Sequence, residues 1–157
     1  MFRFVIASAL LATAGTAGAA DRAQGWRIDA IPWQAAAANG TRYALLEGRR
    51  DEAGSAFSYA FFIPAGVWDG PHHHSATARV FVAKGVLRIG YGTALRKAET
   101  TAYPAGSYVV VPAGAVHFDG SDEDTLIVGT AIGPWSTTYR DGSRPASAGT
   151  PIARPAR

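Results

Sequence analysis

Apolar and polar residues alternate along most of this chain with a period of two, the pattern of strands with one buried face. Trp26-Arg27-Ile28-Asp29-Ala30-Ile31 reads as a half-buried entry strand, which Pro32 ends. After a small-residue connection or short helical turn over 35–40, Tyr43-Ala44-Leu45-Leu46-Glu47 predicts the next strand, closed by Gly48 and a charged turn at 49–54. Phe57, Tyr59 and Phe61 fall on one face of another, broken by Pro64 and Gly66. Two β-rich runs, 79–84 and 86–91, hinge on Gly85 as a hairpin or a corner between sheets. Further strands are expected at 107–111, 116–118, 125–132 and 136–139, and a helical turn at 93–98. Many short strands, punctuated by 18 glycines and 9 prolines, predict an antiparallel sandwich or barrel without internal repeats.

Composition divides the chain into three parts. Residues 1–19 carry the layout of a secretory signal peptide: Arg3, then an apolar run from Phe4 to Ala14, then Ala17-Gly18-Ala19 at the cleavage position. The run is short for a membrane anchor, and no later segment reaches spanning length, so a mature exported chain is expected, in the periplasm. Residues 20–143 form one domain, and 144–157 read as a disordered Pro-, Ala- and Arg-containing tail. The net charge of +3 falls to about +2 without Arg3, too little to suggest a nucleic-acid partner. With no cysteine, the fold has no disulfide to rely on.

The candidate chemistry lies in four histidines, His72-His73-His74 and His117. On an extended strand His72 and His74 point to the same face and His73 to the other, so the pair can close on one ion while a third ligand comes from elsewhere. His117 follows a rigid Pro112-Ala113-Gly114 turn that fixes where it projects. Three neutral imidazoles suit a divalent transition metal rather than calcium or magnesium. The competing readings are a surface histidine run without a ligand, and a core His117 bonded to a carbonyl.

The histidines alone leave these readings open; the spacing around them carries a resemblance that favours the metal site. Gly66, His72, His74 and Gly85 stand in the register of the first cupin motif, and Gly106, Pro112, Gly114 and His117 in that of the second. The chain therefore resembles small, single-domain exported bacterial members of the cupin superfamily. The resemblance runs from about Tyr43 to Tyr139 and implies an all-β fold, an antiparallel double-stranded β-helix or jelly-roll barrel. Two positions depart from the motifs: Ala78 occupies the glutamate slot and Ser121 the asparagine slot. The resemblance thus implies a site of His72, His74 and His117 without the usual carboxylate, similar to the sites of thiol dioxygenases and diketone-cleaving oxygenases. The ion expected there is one divalent transition metal: iron, nickel, copper, manganese or zinc.

This reading points to a dioxygenase acting on a small organic molecule, with the ligand supplying the missing negative charge. The alternatives are a non-catalytic metal- or small-molecule-binding module and a Lewis-acid isomerase or hydrolase. Trp68 is a candidate rim residue. Asp69 and Asp119 are candidate orienters of an imidazole N–H, weighed against the more common reading of solvated loop carboxylates. By analogy with cupin dimers, two copies are expected to pair as a homodimer through the entry strand at 26–31.

Overall fold

The computed structural model describes residues 23–140. Ten strands follow one another: β1 (Arg42–Gly48), β2 (Ala56–Ile63), β3 (Trp68–His74), β4 (Ala78–Lys84), β5 (Val86–Tyr91), β6 (Thr101–Pro104), β7 (Tyr108–Val111), β8 (His117–Gly120), β9 (Thr125–Ile132) and β10 (Thr137–Tyr139). They form two five-stranded sheets, ordered β1-β2-β9-β4-β7 and β10-β3-β8-β5-β6. Every pairing is antiparallel. This is the jelly-roll sandwich expected from the sequence, and no helix among the described residues is long and apolar enough to cross a membrane.

Alternation in sequence becomes alternation in burial. On β4, Ala78, Val80 and Val82 are buried while Arg79 and Phe81 are exposed, and on β7 Val109 and Val111 are buried while Tyr108 and Val110 are exposed. The inward residues meet Ile63, Leu87, Ile89 and Ile127 in one apolar core between the sheets. Each such aliphatic side chain contributes roughly 1.5–3 kcal/mol on burial.

Gly85 makes the corner. It joins β4 of one sheet to β5 of the other at φ +76°, where a Cβ would stand 2.6 Å from the Asp124 carbonyl oxygen. The chain changes sheets there, so the corner reading applies and the hairpin does not.

Three local expectations need correction. Residues 26–31 form no strand: Ile28–Ala30 is a single 3-10 turn, and its residues are exposed. This segment touches β1 through the indole of Trp26, whose Nε1 donates to the Leu46 carbonyl at 3.2 Å. A side-chain contact has replaced a backbone ladder, so the edge strand proposed for pairing two copies is not formed. The helical turn expected over 93–98 is a 3-10 turn at Lys97–Glu99, and β6, which alternation did not mark, pairs with β5. The leader at 1–19 and the tail at 144–157 lie outside the described residues.

Candidate metal centre

Strands β3 and β8 lie side by side, with His72 opposite His117 and Asp69 opposite Asp119. A register shift between Asp69 and His72 changes the side-chain parity of β3. It lets Asp69 line the same cavity as His72 and His74, although it stands three positions before His72, an odd spacing. On β8, His117 and Asp119 are two apart and share a face without any irregularity, while Phe118 turns to the opposite face, packs its ring over Gly90 and is 1% exposed.

The two motifs are tied together by their backbones. Gly114 N–H donates to the His74 carbonyl at 2.9 Å, so the turn preceding His117 is fixed to the end of β3. At the other end Gly66 N–H donates to the Ser121 carbonyl at 2.8 Å. Ser121, in the asparagine slot, is fully buried, and its hydroxyl donates to the Val86 carbonyl at 2.8 Å. It holds the frame and does not line the cavity.

The imidazoles of His72, His74 and His117 converge, with potential ligand atoms within 4.8 Å of one another. Ligands at about 2.0–2.1 Å from a common ion need only a modest inward adjustment from there. Each Nδ1 is already engaged: His72 with the Gly70 carbonyl at 2.8 Å, His117 with the Ala115 carbonyl at 2.9 Å, and His74 with Thr137 Oγ1 at 3.0 Å. A carbonyl only accepts, so Nδ1 of His72 and of His117 carries the proton. In the neutral form of each ring, Nε2 is then the nitrogen whose lone pair faces the cavity.

Asp119 Oδ2 stands 3.7 Å from Nε2 of His72 and 3.6 Å from Nε2 of His117. With both rings neutral, three acceptors face one space, an arrangement that a cation between them would relieve. The donor set fits a divalent transition metal. Asp119 is thus not a solvated loop carboxylate but part of the cavity wall, and Ala78 lines the same cavity with only a methyl group.

The electrostatics agree. His74 is held down to about 2, first by burial and then by the neighbouring His72 and His117. His117 is also held down, mainly by burial, against the opposing charge of Asp119. Asp69 is pushed up to about 6 by burial first and by Asp119 second, against His72 and the hydrogen bond that Tyr139 donates at 3.1 Å. The unfolded chain takes up protons on these histidines below about pH 6.5 that the folded chain refuses. Their contribution is therefore complete above that pH and lost as pH falls.

His74 alone costs about 2 kcal/mol at pH 5, and Asp69, which gains its proton earlier in the folded state, offsets about 1 kcal/mol of the histidine loss. The melting temperature of the chelator-treated protein is accordingly expected to fall between pH 7 and pH 5. A flat or rising midpoint would contradict this charge assignment.

The cavity above the histidines has a volume of about 130 Å³. Beyond the predicted residues it is lined by Tyr43, Arg50, Trp135 and Tyr139. Trp135 stacks on His74, with ring centroids 4.4 Å apart and planes 29° apart. Phe57, Tyr59 and Phe61 line it too, whereas Phe81, Tyr91 and Tyr108 are exposed. Trp68 does not line it: its ring packs over Gly120 and beneath Lys97, whose Nζ is 4.8 Å from the ring centroid. Alternation marked Phe57, Tyr59 and Phe61 as a shared face. Nothing in the sequence marks Arg50 or Trp135, which arrive from loops.

A family model described as the ChrR Cupin-like domain matches residues 21–136. The chain belongs to this cupin family. Over 73 residues this ChrR-like cupin is 37% identical to germin-like protein 5-1 of Oryza sativa subsp. japonica, covering 46% of the chain and 33% of that protein. The chain thus matches about a third of the length of that curated relative.

Among solved structures, it shares its fold with a candidate acetylacetone dioxygenase from Methylibium petroleiphilum PM1. The TM-score is 0.57 at 23% identity, over 78% of this chain and 85% of that one. It also shares its fold with the Rhodobacter sphaeroides complex of SigE with the anti-sigma ChrR, with a TM-score of 0.52 at 20% identity, over 67% of this chain and 51% of that one.

Proposed function

We propose that this ChrR-like cupin holds one divalent transition metal on His72, His74 and His117 and acts through it as a dioxygenase on a small organic molecule, after export to the periplasm. The observation that carries the reading is the convergence of two Nε2 lone pairs and the Asp119 carboxylate on one cavity, with His74 beside them. In this reading Asp119 supplies, from the second motif, the negative charge that Ala78 withholds from the first. When bound, a redox-active metal supplies Lewis acidity and electrons for dioxygen chemistry. The protein's own groups hold the imidazoles in one tautomer through Gly70 and Ala115, stack Trp135 on His74 and narrow the cavity with Tyr43 and Tyr59. The fold shared with a candidate acetylacetone dioxygenase makes diketones the first compounds to try.

A second reading, a metal- or ligand-sensing module without catalysis, is favoured by the family match and by the fold shared with an anti-sigma complex. One experiment separates them. The exported protein, purified without a histidine tag or chelator, is assayed for metal and then for oxygen uptake with diketones, thiols and carboxylates. Bound iron, copper, nickel or manganese with ligand-dependent oxygen uptake supports the dioxygenase. Zinc without uptake supports the sensing module, and no metal after reconstitution overturns both metal readings.

A further inference from the structure

Arg50 lies in the loop between β1 and β2 and lines the cavity. Among the described residues the arginine ion pairs involve Arg27, Arg49, Arg88 and Arg96, and none involves Arg50. Of the two carboxylates facing the same cavity, Asp69 accepts from Tyr139 and Asp119 stands against the imidazole edges, and neither forms an ion pair with Arg50. Beside Arg50, the Tyr43 hydroxyl is buried and has no hydrogen-bond partner. The guanidinium stands over the Tyr43 ring, 5.5 Å from its centroid, close enough for its charge and N–H groups to act on the phenol against the burial that raises its pKa, yet without a well-formed hydrogen bond to the hydroxyl. A buried hydroxyl without a well-formed hydrogen bond is costly, and the guanidinium beside it offers a planar fork of donors with no carboxylate partner among the described residues.

The Arg50 loop is also held in place. Arg50 accepts from Trp135 N–H at 3.0 Å through its backbone carbonyl, and Gly54 N–H donates to the Gly133 carbonyl at 3.0 Å. Gly133 N–H returns a bond to the Ser55 carbonyl at 2.8 Å. The Trp135 indole on the other side of this unit stacks on His74. One hydrogen-bonded unit therefore sets Arg50 against the histidine cluster.

We propose that Arg50 and Tyr43 form an anion subsite, and that the ligand is an organic anion with a chelating end for the histidine cluster and a carboxylate for Arg50. The proposal rests on the metal reading for the chelating end only. A guanidinium accepts a carboxylate through parallel N–H bonds, and the Tyr43 hydroxyl supplies one more donor.

The test uses two probes of one skeleton: succinylacetone, a β-diketone with a terminal carboxylate, and its uncharged analogue with a methyl group in that place. Each is titrated into the full chain loaded with cobalt(II) and followed by the visible spectrum. Wild type is expected to prefer succinylacetone by about tenfold to a hundredfold. Arg50→Gln removes the preference, Arg50→Lys keeps part of it, and Tyr43→Phe reduces it less than Arg50→Gln does. Equal affinity for the two probes in wild type, or an undiminished preference in Arg50→Gln, would overturn the subsite.

Should wild type take up no cobalt, the metal reading falls and the subsite is still decided. Tryptophan quenching by succinylacetone that Arg50→Gln abolishes supports it. Quenching that is absent, or unchanged by the substitution, overturns it.

Discussion

His117→Ala is expected to abolish stoichiometric metal binding, with a loss of affinity beyond the roughly tenfold to hundredfold typical of residues that only support a ligand. Its imidazole is buried at the start of β8, held in one tautomer by the Ala115 carbonyl and placed by a turn whose Gly114 N–H is bonded to His74. No other described histidine can replace it. His73 lies on β3 between His72 and His74, does not line the cavity, and has a buried Nδ1 without a partner. His73→Ala is therefore the matched control, expected to retain the full metal content. Metal analysis of both variants, with competition against a chromophoric chelator, decides the matter. A His117→Ala protein that binds like wild type, or a His73→Ala protein that also loses its metal, would refute the assignment of ligands to faces.

How far the sequence reveals this site depends on strand parity. His72, His74 and His117 are legible because two residues two apart share a face and because both motifs keep their spacing. Asp119 is legible by the same rule, two after His117 on an unbroken strand, yet flanking position alone suggests a loop carboxylate. Asp69 is not legible. Strict alternation from His72 places it on the opposite face, and only the register shift in β3 returns it to the cavity.

The fold is more accessible than the site because apolar alternation repeats over many strands, so a local error costs little. The segment at 26–31 shows the opposite weakness: its alternation is strand-like, but no ladder receives it, and the Trp26 indole docks on β1 instead. Arg50 and Trp135 are set by long-range backbone bonds between loops, for which no periodicity exists.

Asp119→Asn is expected to act in opposite directions on stability and on metal affinity. In the metal-free protein at pH 7, Asp69 is ionised although its folded pKa has risen to about 6, a penalty on the order of 3 kcal/mol relative to an ordinary carboxylate. Burial is the larger cause and the charge of Asp119 the second. Replacing Asp119 by its neutral isostere removes the second cause, together with the carboxylate that faces two Nε2 lone pairs. The metal-free variant should thus be more stable than wild type near neutral pH, by about 1 kcal/mol. The Asp69 titration, followed by NMR, should move down towards its ordinary range.

With metal the sign reverses, because the same carboxylate that repels its neighbours attracts a cation. Affinity should fall by about tenfold to a hundredfold. Chelator-treated melting curves and metal competition report the two effects separately. A variant that is stabilised yet binds metal like wild type would reduce Asp119 to a strained neighbour of the site. A variant weakened in both measurements would make it a structural residue. Only gain in one and loss in the other fits a carboxylate placed for a cation, the arrangement in which a fold accepts repulsion among its own groups so that an ion can relieve it.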